Sequence, residues 1–206
     1  MAGNTHFPVR YQFVEADGVK VFYREAGDPV NPTLLLLHGF PSSSHQFREL
    51  IPLLADKFHL IAPDLPGFGF TEVPADRHYL YTFDGLAKTL IDFVDALDLQ
   101  RFAIYVFDYG APTGFRIAAK HPERITAIIS QNGNAYEEGL TDFWAPIRAY
   151  WHDPSQSNPE DLRPFLKPET TLLQHSPGAP DSTPVPPVWF PPVHHSPILP
   201  GSDRPH

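Results

Sequence analysis

The chain has 206 residues, with 15 Lys and Arg against 24 Asp and Glu for a formal charge of -9, 25 prolines and no cysteine. That length can bury a sizeable core as one domain, or as a domain with a tail, and an acidic balance with no basic run argues against nucleic acid and anionic membranes as partners. The lack of cysteine excludes disulfides, a thiolate nucleophile and Cys-based zinc sites. With no basic-then-apolar leader in 1–10 and no run near the roughly 18 apolar residues of a span, the chain reads as soluble and cytoplasmic.

Tyr11–Val14 and Val19–Tyr23 alternate in polarity around Asp17-Gly18, the short-range signature of a β-hairpin. Thr33–Leu37 and Phe58–Ala62 are short, continuously apolar and bounded by turn residues, as suits strands buried on both faces. Between them, Ser44–Ala55 sets Phe47, Leu50, Ile51 and Leu54 at helical spacing behind serines that can cap, and Phe83–Leu97 repeats the pattern. A strand at 102–107, a helix at 111–121 and a strand at Ile125–Ser130 follow. Strands alternating with helices predict a doubly wound, mostly parallel α/β sheet with an antiparallel start.

Residues 131–167 carry Tyr136, Phe143, Trp144, Ile147, Tyr150 and Trp151, an aromatic, partly helical segment that either roofs a pocket at the strand ends or is an ordinary packed helix pair. From Ser176 onwards prolines are dense enough to exclude regular helix or central strand, so the tail is expected to be disordered or polyproline-like.

The chemistry centres on Phe107-Asp108-Tyr109-Gly110, between an apolar strand and a helix. A turn there presents the aspartate beside the free N–H groups of the helix start, where a negative charge is stabilised by about 0.3–1 kcal/mol. Asp108 is either a nucleophile or a helix-capping residue.

The hairpin, His38-Gly39-Phe40-Pro41, Asp64-Leu-Pro-Gly67-Phe-Gly69 and the Asp108 turn together resemble the α/β-hydrolase superfamily, and within it the aspartate-nucleophile branch of epoxide hydrolases and haloalkane dehalogenases. The resemblance covers about residues 7–165. It divides the chain into the front part of the core (7–130), the start of a cap region (131–170) and a proline-rich tail (171–206). It implies that Asp108 attacks an epoxide or halogen-bearing carbon of a small apolar substrate, with water as co-substrate and neither cofactor nor metal. The backbone N–H groups of Phe40 and Tyr109 would form the oxyanion hole. Val106 departs from the pattern, which has a small residue two before the nucleophile. Halide release in the family uses side-chain N–H donors, whereas positions 40 and 109 are Phe and Tyr. Epoxide opening uses cap tyrosines, for which Tyr136 and Tyr150 are candidates, and Trp144 and Trp151 are candidates for halide contact. His38 is counted among the pocket residues although the family histidine is mostly structural, and Asp64 reads as a turn-former.

The family's base histidine follows its eighth strand and the orienting acid its seventh or sixth, while six strands are legible here and the stretch after the sixth reads Gln131-Asn132-Gly133-Asn134. Glu137 or Glu138 is a substitute acid; His194-His195 lies in the proline tract. The fold is therefore expected to be incomplete at its C-terminal side. The strand at 125–130 then forms an apolar edge, open to self-association or a covering partner. Two origins fit the change of character near Thr170: a shifted reading frame, or a short protein with a linker tail. The alternative to a hydrolase is a catalytically incompetent remnant or interaction protein.

Overall fold

The structure, a computed structural model, describes residues 7–140, 142–153, 163, 164, 167 and 170. The proline-rich segment 171–206, with His194 and His195, lies outside the described residues, as do the side chains of Glu137, Phe143 and Trp151.

Six strands form one sheet: β1 (Arg10–Ala16), β2 (Val19–Ala26), β3 (Thr33–Leu37), β4 (His59–Pro63), β5 (Phe102–Phe107) and β6 (Ile125–Gln131). They lie in the order β1-β2-β4-β3-β5-β6. The first two pair antiparallel across the Asp17-Gly18 turn, both of whose residues have positive φ (53° and 66°), the geometry that a two-residue hairpin turn demands. β2 runs antiparallel to β4, and β4, β3, β5 and β6 run parallel. The mixed, mostly parallel sheet matches the expectation from the alternating elements.

Alternation along β3 explains the two layers. Leu35 and Leu37 enter a core with Ile61, Ile104 and Val106, under α2 (Phe83–Ala96) and α3 (Gly110–Lys120). Leu34 and Leu36 enter a second core with Leu60, Ala62 and Phe47 on the opposite face. Burying apolar side chains on both faces at about 1.5–3 kcal/mol each is what holds such a sheet.

One element differs from its sequence reading. Residues 44–55 are not one helix but a 3-10 turn, Ser44–Phe47, followed by α1 (Leu50–Leu54). Pro52 is the reason: without an N–H, and with a ring that clashes one turn back, it is tolerated only in a first turn, so the helix restarts just before it. The last described helix is α4 (Ala145–His152), where Ile147 and Tyr150 share a buried face with Trp144 beside them. Among the described residues no helix is long and apolar enough to cross a membrane.

Candidate active site

Asp108 sits at the apex between β5 and α3 with φ 48°, a left-handed conformation that a non-glycine residue adopts at a cost. The turn closes through the Ala111 N–H, which donates to the Asp108 carbonyl at 2.9 Å. Two backbone donors converge on one carboxylate oxygen: the N–H groups of Phe40, at 2.8 Å, and Tyr109, at 2.6 Å, both donate to Oδ1. Bonds to an ionised acceptor are about twice as strong as neutral ones. A simple capping role accounts poorly for this pair, because the residue flanking α3 is Tyr109 and one donor comes from 68 positions away.

Phe40 is held there by the packing of two loops. Gly39 lies so close to Asp108 that a Cβ on it would come within 2.5 Å of the Asp108 Cβ, so only glycine lets the loop approach. His38 is fully buried; its Nδ1 donates to the Gly39 carbonyl at 2.9 Å and its Nε2 accepts from the Leu65 N–H at 3.0 Å. Burial lowers its pKa, in keeping with the neutral tautomer that these two bonds require. With both nitrogens engaged by backbone, His38 braces the loop and does not offer a group to a pocket. Asp64, also buried, accepts from the Ser44 N–H at 2.7 Å and the Phe70 N–H at 2.8 Å, joining the loops after β3 and β4.

Val106, the residue out of pattern, is accommodated by its neighbour. A Cβ on Gly114 of α3 would come within 2.6 Å of Val106 Cγ1, so the missing side chain on the helix makes room for the added one on the strand.

Aromatic rings cluster on the two residues whose N–H groups bind Asp108. The Phe40 ring lies 5.5 Å from Tyr109 and 6.2 Å from Phe68, and Phe83 lies 5.1 Å from Tyr109. Burial, and after it the Asp108 carboxylate, raises the Tyr109 phenol above its usual pKa. Phe83 opens a helix and carries no signal in the sequence, and Phe68 stands in the quoted loop motif with nothing there to mark its ring; only tertiary packing brings both to Tyr109.

The remaining candidates separate. Tyr136 is 77% exposed, whereas Tyr150 is 4% exposed. Trp144 packs against both the α4 cluster and the main core that holds Phe68 and Tyr109. Glu138 is exposed, and the Gln131 side chain accepts from the Tyr105 hydroxyl. Among the described residues no group of three metal-ligating side chains converges.

The alpha/beta hydrolase fold family matches residues 32–169. An uncharacterized hydrolase of Saccharomyces cerevisiae is 55% identical over 179 residues, which are 84% of this chain and 61% of the yeast protein. A haloalkane dehalogenase of Psychrobacter cryohalolentis is 35% identical over 119 residues, 57% of this chain and 39% of its own length. Among solved structures, an epoxide hydrolase from Vigna radiata is similar with a TM-score of 0.59 at 28% identity, covering 70% of this chain and 45% of that one. A haloalkane dehalogenase from Bradyrhizobium elkani gives a TM-score of 0.61 at 27% identity, covering 82% and 55%. The chain thus spans 61% of the yeast relative and 39% of the Psychrobacter one.

Proposed function

The chain belongs to the α/β-hydrolase fold family, and from that premise we propose that Asp108 is the nucleophile of a hydrolase acting on epoxides or carbon–halogen bonds in small apolar substrates. The observation that carries the reading is the convergence of the Phe40 and Tyr109 N–H groups on Oδ1 of Asp108. A carboxylate with a reference pKa near 3.9 is ionised at neutral pH and needs no base to attack. With Oδ1 held by two donors, Oδ2 is the oxygen that bonds to the substrate carbon as the epoxide C–O or carbon–halogen bond breaks, giving an alkyl ester. Water then adds to Cγ, and the charge that builds on Oδ1 is met by the same two N–H groups. Cleavage between Cγ and Oδ2 releases a diol or an alcohol. The proton that the water gives up ends on the departing alkoxide oxygen, carried by a base that in this family is a late histidine.

Positions 40 and 109 offer no side-chain N–H to a departing halide, which favours the epoxide. Opening an epoxide requires a proton for the leaving oxygen, and the burial of Tyr150 beside Trp144 favours it over Tyr136. The aromatic surroundings fit an apolar substrate.

Intact-protein mass spectrometry after exposure to a terminal epoxide or a 1-haloalkane tests the reading. The expected adduct has the mass of the epoxide, or of the alkyl group, maps to Asp108 and is lost in Asp108→Asn. An adduct that persists in that variant sinks it. The second reading, a catalytically incompetent interaction protein, draws on the exposed β6 edge, where Ile128 and Ile129 are 47% and 45% exposed; it expects no adduct with either reagent.

A further inference from the structure

Arg24, in the middle of β2, is buried, and its partners lie on the loop that carries Phe40 rather than on a carboxylate. Its Nε donates to Ser44 Oγ at 3.0 Å and its Nη2 lies 3.5 Å from His45 Nδ1. The guanidinium is flanked by the rings of Tyr11, at 5.0 Å, and Phe22, at 5.8 Å. A buried cation costs free energy unless its hydrogen bonds are well satisfied, so its place there is a constraint on what it touches.

What it touches is the start of the 3-10 turn. Ser44 is gripped twice, by Arg24 at its hydroxyl and by Asp64 Oδ1 at its N–H, 2.7 Å away. The same turn carries Gln46, whose Oε1 accepts from the Gly39 N–H at 3.4 Å, and Ser42 closes back on Gly39 through its N–H at 3.0 Å. Gly39 precedes Phe40, the donor to Asp108. From this chain of contacts we infer that Arg24 is a positioning residue: acting through Ser44, it sets where the Phe40 N–H meets Asp108 Oδ1. The catalytic half of the inference rests on Asp108 being the nucleophile; the structural half does not.

Two readouts on the full chain keep those halves apart. The first is hydrogen exchange of the Phe40 amide by NMR in wild type, Arg24→Met, Ser44→Ala and the double variant. Each single change is expected to speed Phe40 exchange about tenfold, in line with loss of one charged hydrogen bond, with α3 amides unchanged and the double variant no worse than either single. The second is the rate at which a terminal epoxide labels Asp108. It is expected not to fall, since the Phe40 and Tyr109 N–H groups meet charge that builds on Oδ1 only when water adds, whereas loss of the ester after the epoxide is removed is expected to slow by a similar factor. Phe40 exchange at the wild-type rate in Arg24→Met overturns the inference, and so do fully additive effects. If Arg24→Met does not fold, Ser44→Ala alone decides on the same criterion. No labelling in wild type defeats the nucleophile reading and with it the catalytic half, while the exchange data still judge whether Arg24 sets the amide.

Discussion

His38 shows how a residue beside the reacting group stabilises the site by staying out of the chemistry. Its imidazole is neutral because both nitrogens are committed, one as donor to Gly39 and one as acceptor from Leu65. Protonating Nε2 would set two N–H groups against each other in a buried site. The sign of the linkage follows from the lowered pKa. Below about pH 6.5 the unfolded chain takes up a proton that the folded chain refuses, so this contribution is present above that pH and is lost as pH falls towards the folded-state pKa. Urea denaturation at intervals between pH 7.5 and pH 5 should show wild type losing stability faster than His38→Gln, whose amide oxygen can still accept from Leu65 without titrating. Parallel pH profiles for the two proteins would show that the ring titrates alike in both states. This role was half legible in the sequence. The motif placed His38 beside Phe40, but only the approach of Leu65 from the loop after β4 reveals that its second nitrogen is occupied.

Between elements, the packing of β5 on α3 decides whether the Asp108 turn can exist with Val106 in it. Gly114 leaves space for Val106 Cγ1, with the Leu37 and Ile104 side chains beyond. In an otherwise wild-type background Gly114→Ala should therefore be destabilising, since overpacking costs about 1–3 kcal/mol and outweighs the roughly 1 kcal/mol of helix propensity that alanine gains over glycine. After Val106→Ala the nearest obstruction is gone, and the next, Leu37 Cδ1 at 3.1 Å, is a side-chain terminus that need give only a few tenths of an ångström, so the same substitution should stabilise by up to about 1 kcal/mol. A double-mutant cycle by urea denaturation checks the change of sign; equal effects in both backgrounds would show that the two positions do not compete for space. The elements themselves were legible where one local rule dominated, as in the Asp17-Gly18 hairpin and the apolar run of β3. The segment 44–55 was misread because the spacing of Phe47, Ile51 and Leu54 persists across Pro52, and spacing records the buried face without recording whether the backbone hydrogen bonds can be made. The Val106 and Gly114 pairing, eight positions apart on different elements, has no one-dimensional signature at all.

At the scale of the whole molecule, the two ends of the sheet differ in kind. The β1 edge carries Arg10, which pairs with Glu25 at 3.2 Å, and charged edge residues discourage further strand pairing. The opposite edge is β6, which among the described residues pairs only with β5, and Ile128 and Ile129 are exposed on its two faces. An exposed apolar strand with free backbone donors and acceptors is a template for another strand. A formal charge of -9 works against it, because like-charged chains repel until salt shortens the Debye length to about 8–10 Å. The balance of the two gives a prediction specific to this edge: sedimentation velocity should show association that grows with protein concentration and grows again on raising salt. Introducing charge and polarity together, as Ile128→Lys with Ile129→Thr, should return the protein to monomer at both salt concentrations while leaving the adduct on Asp108 intact, since the Phe40 and Tyr109 donors to the carboxylate both lie outside β6. Association that weakens with salt would identify charge pairing as the driving force and remove β6 from the account, and a wild-type monomer at every concentration would show that this edge is already protected.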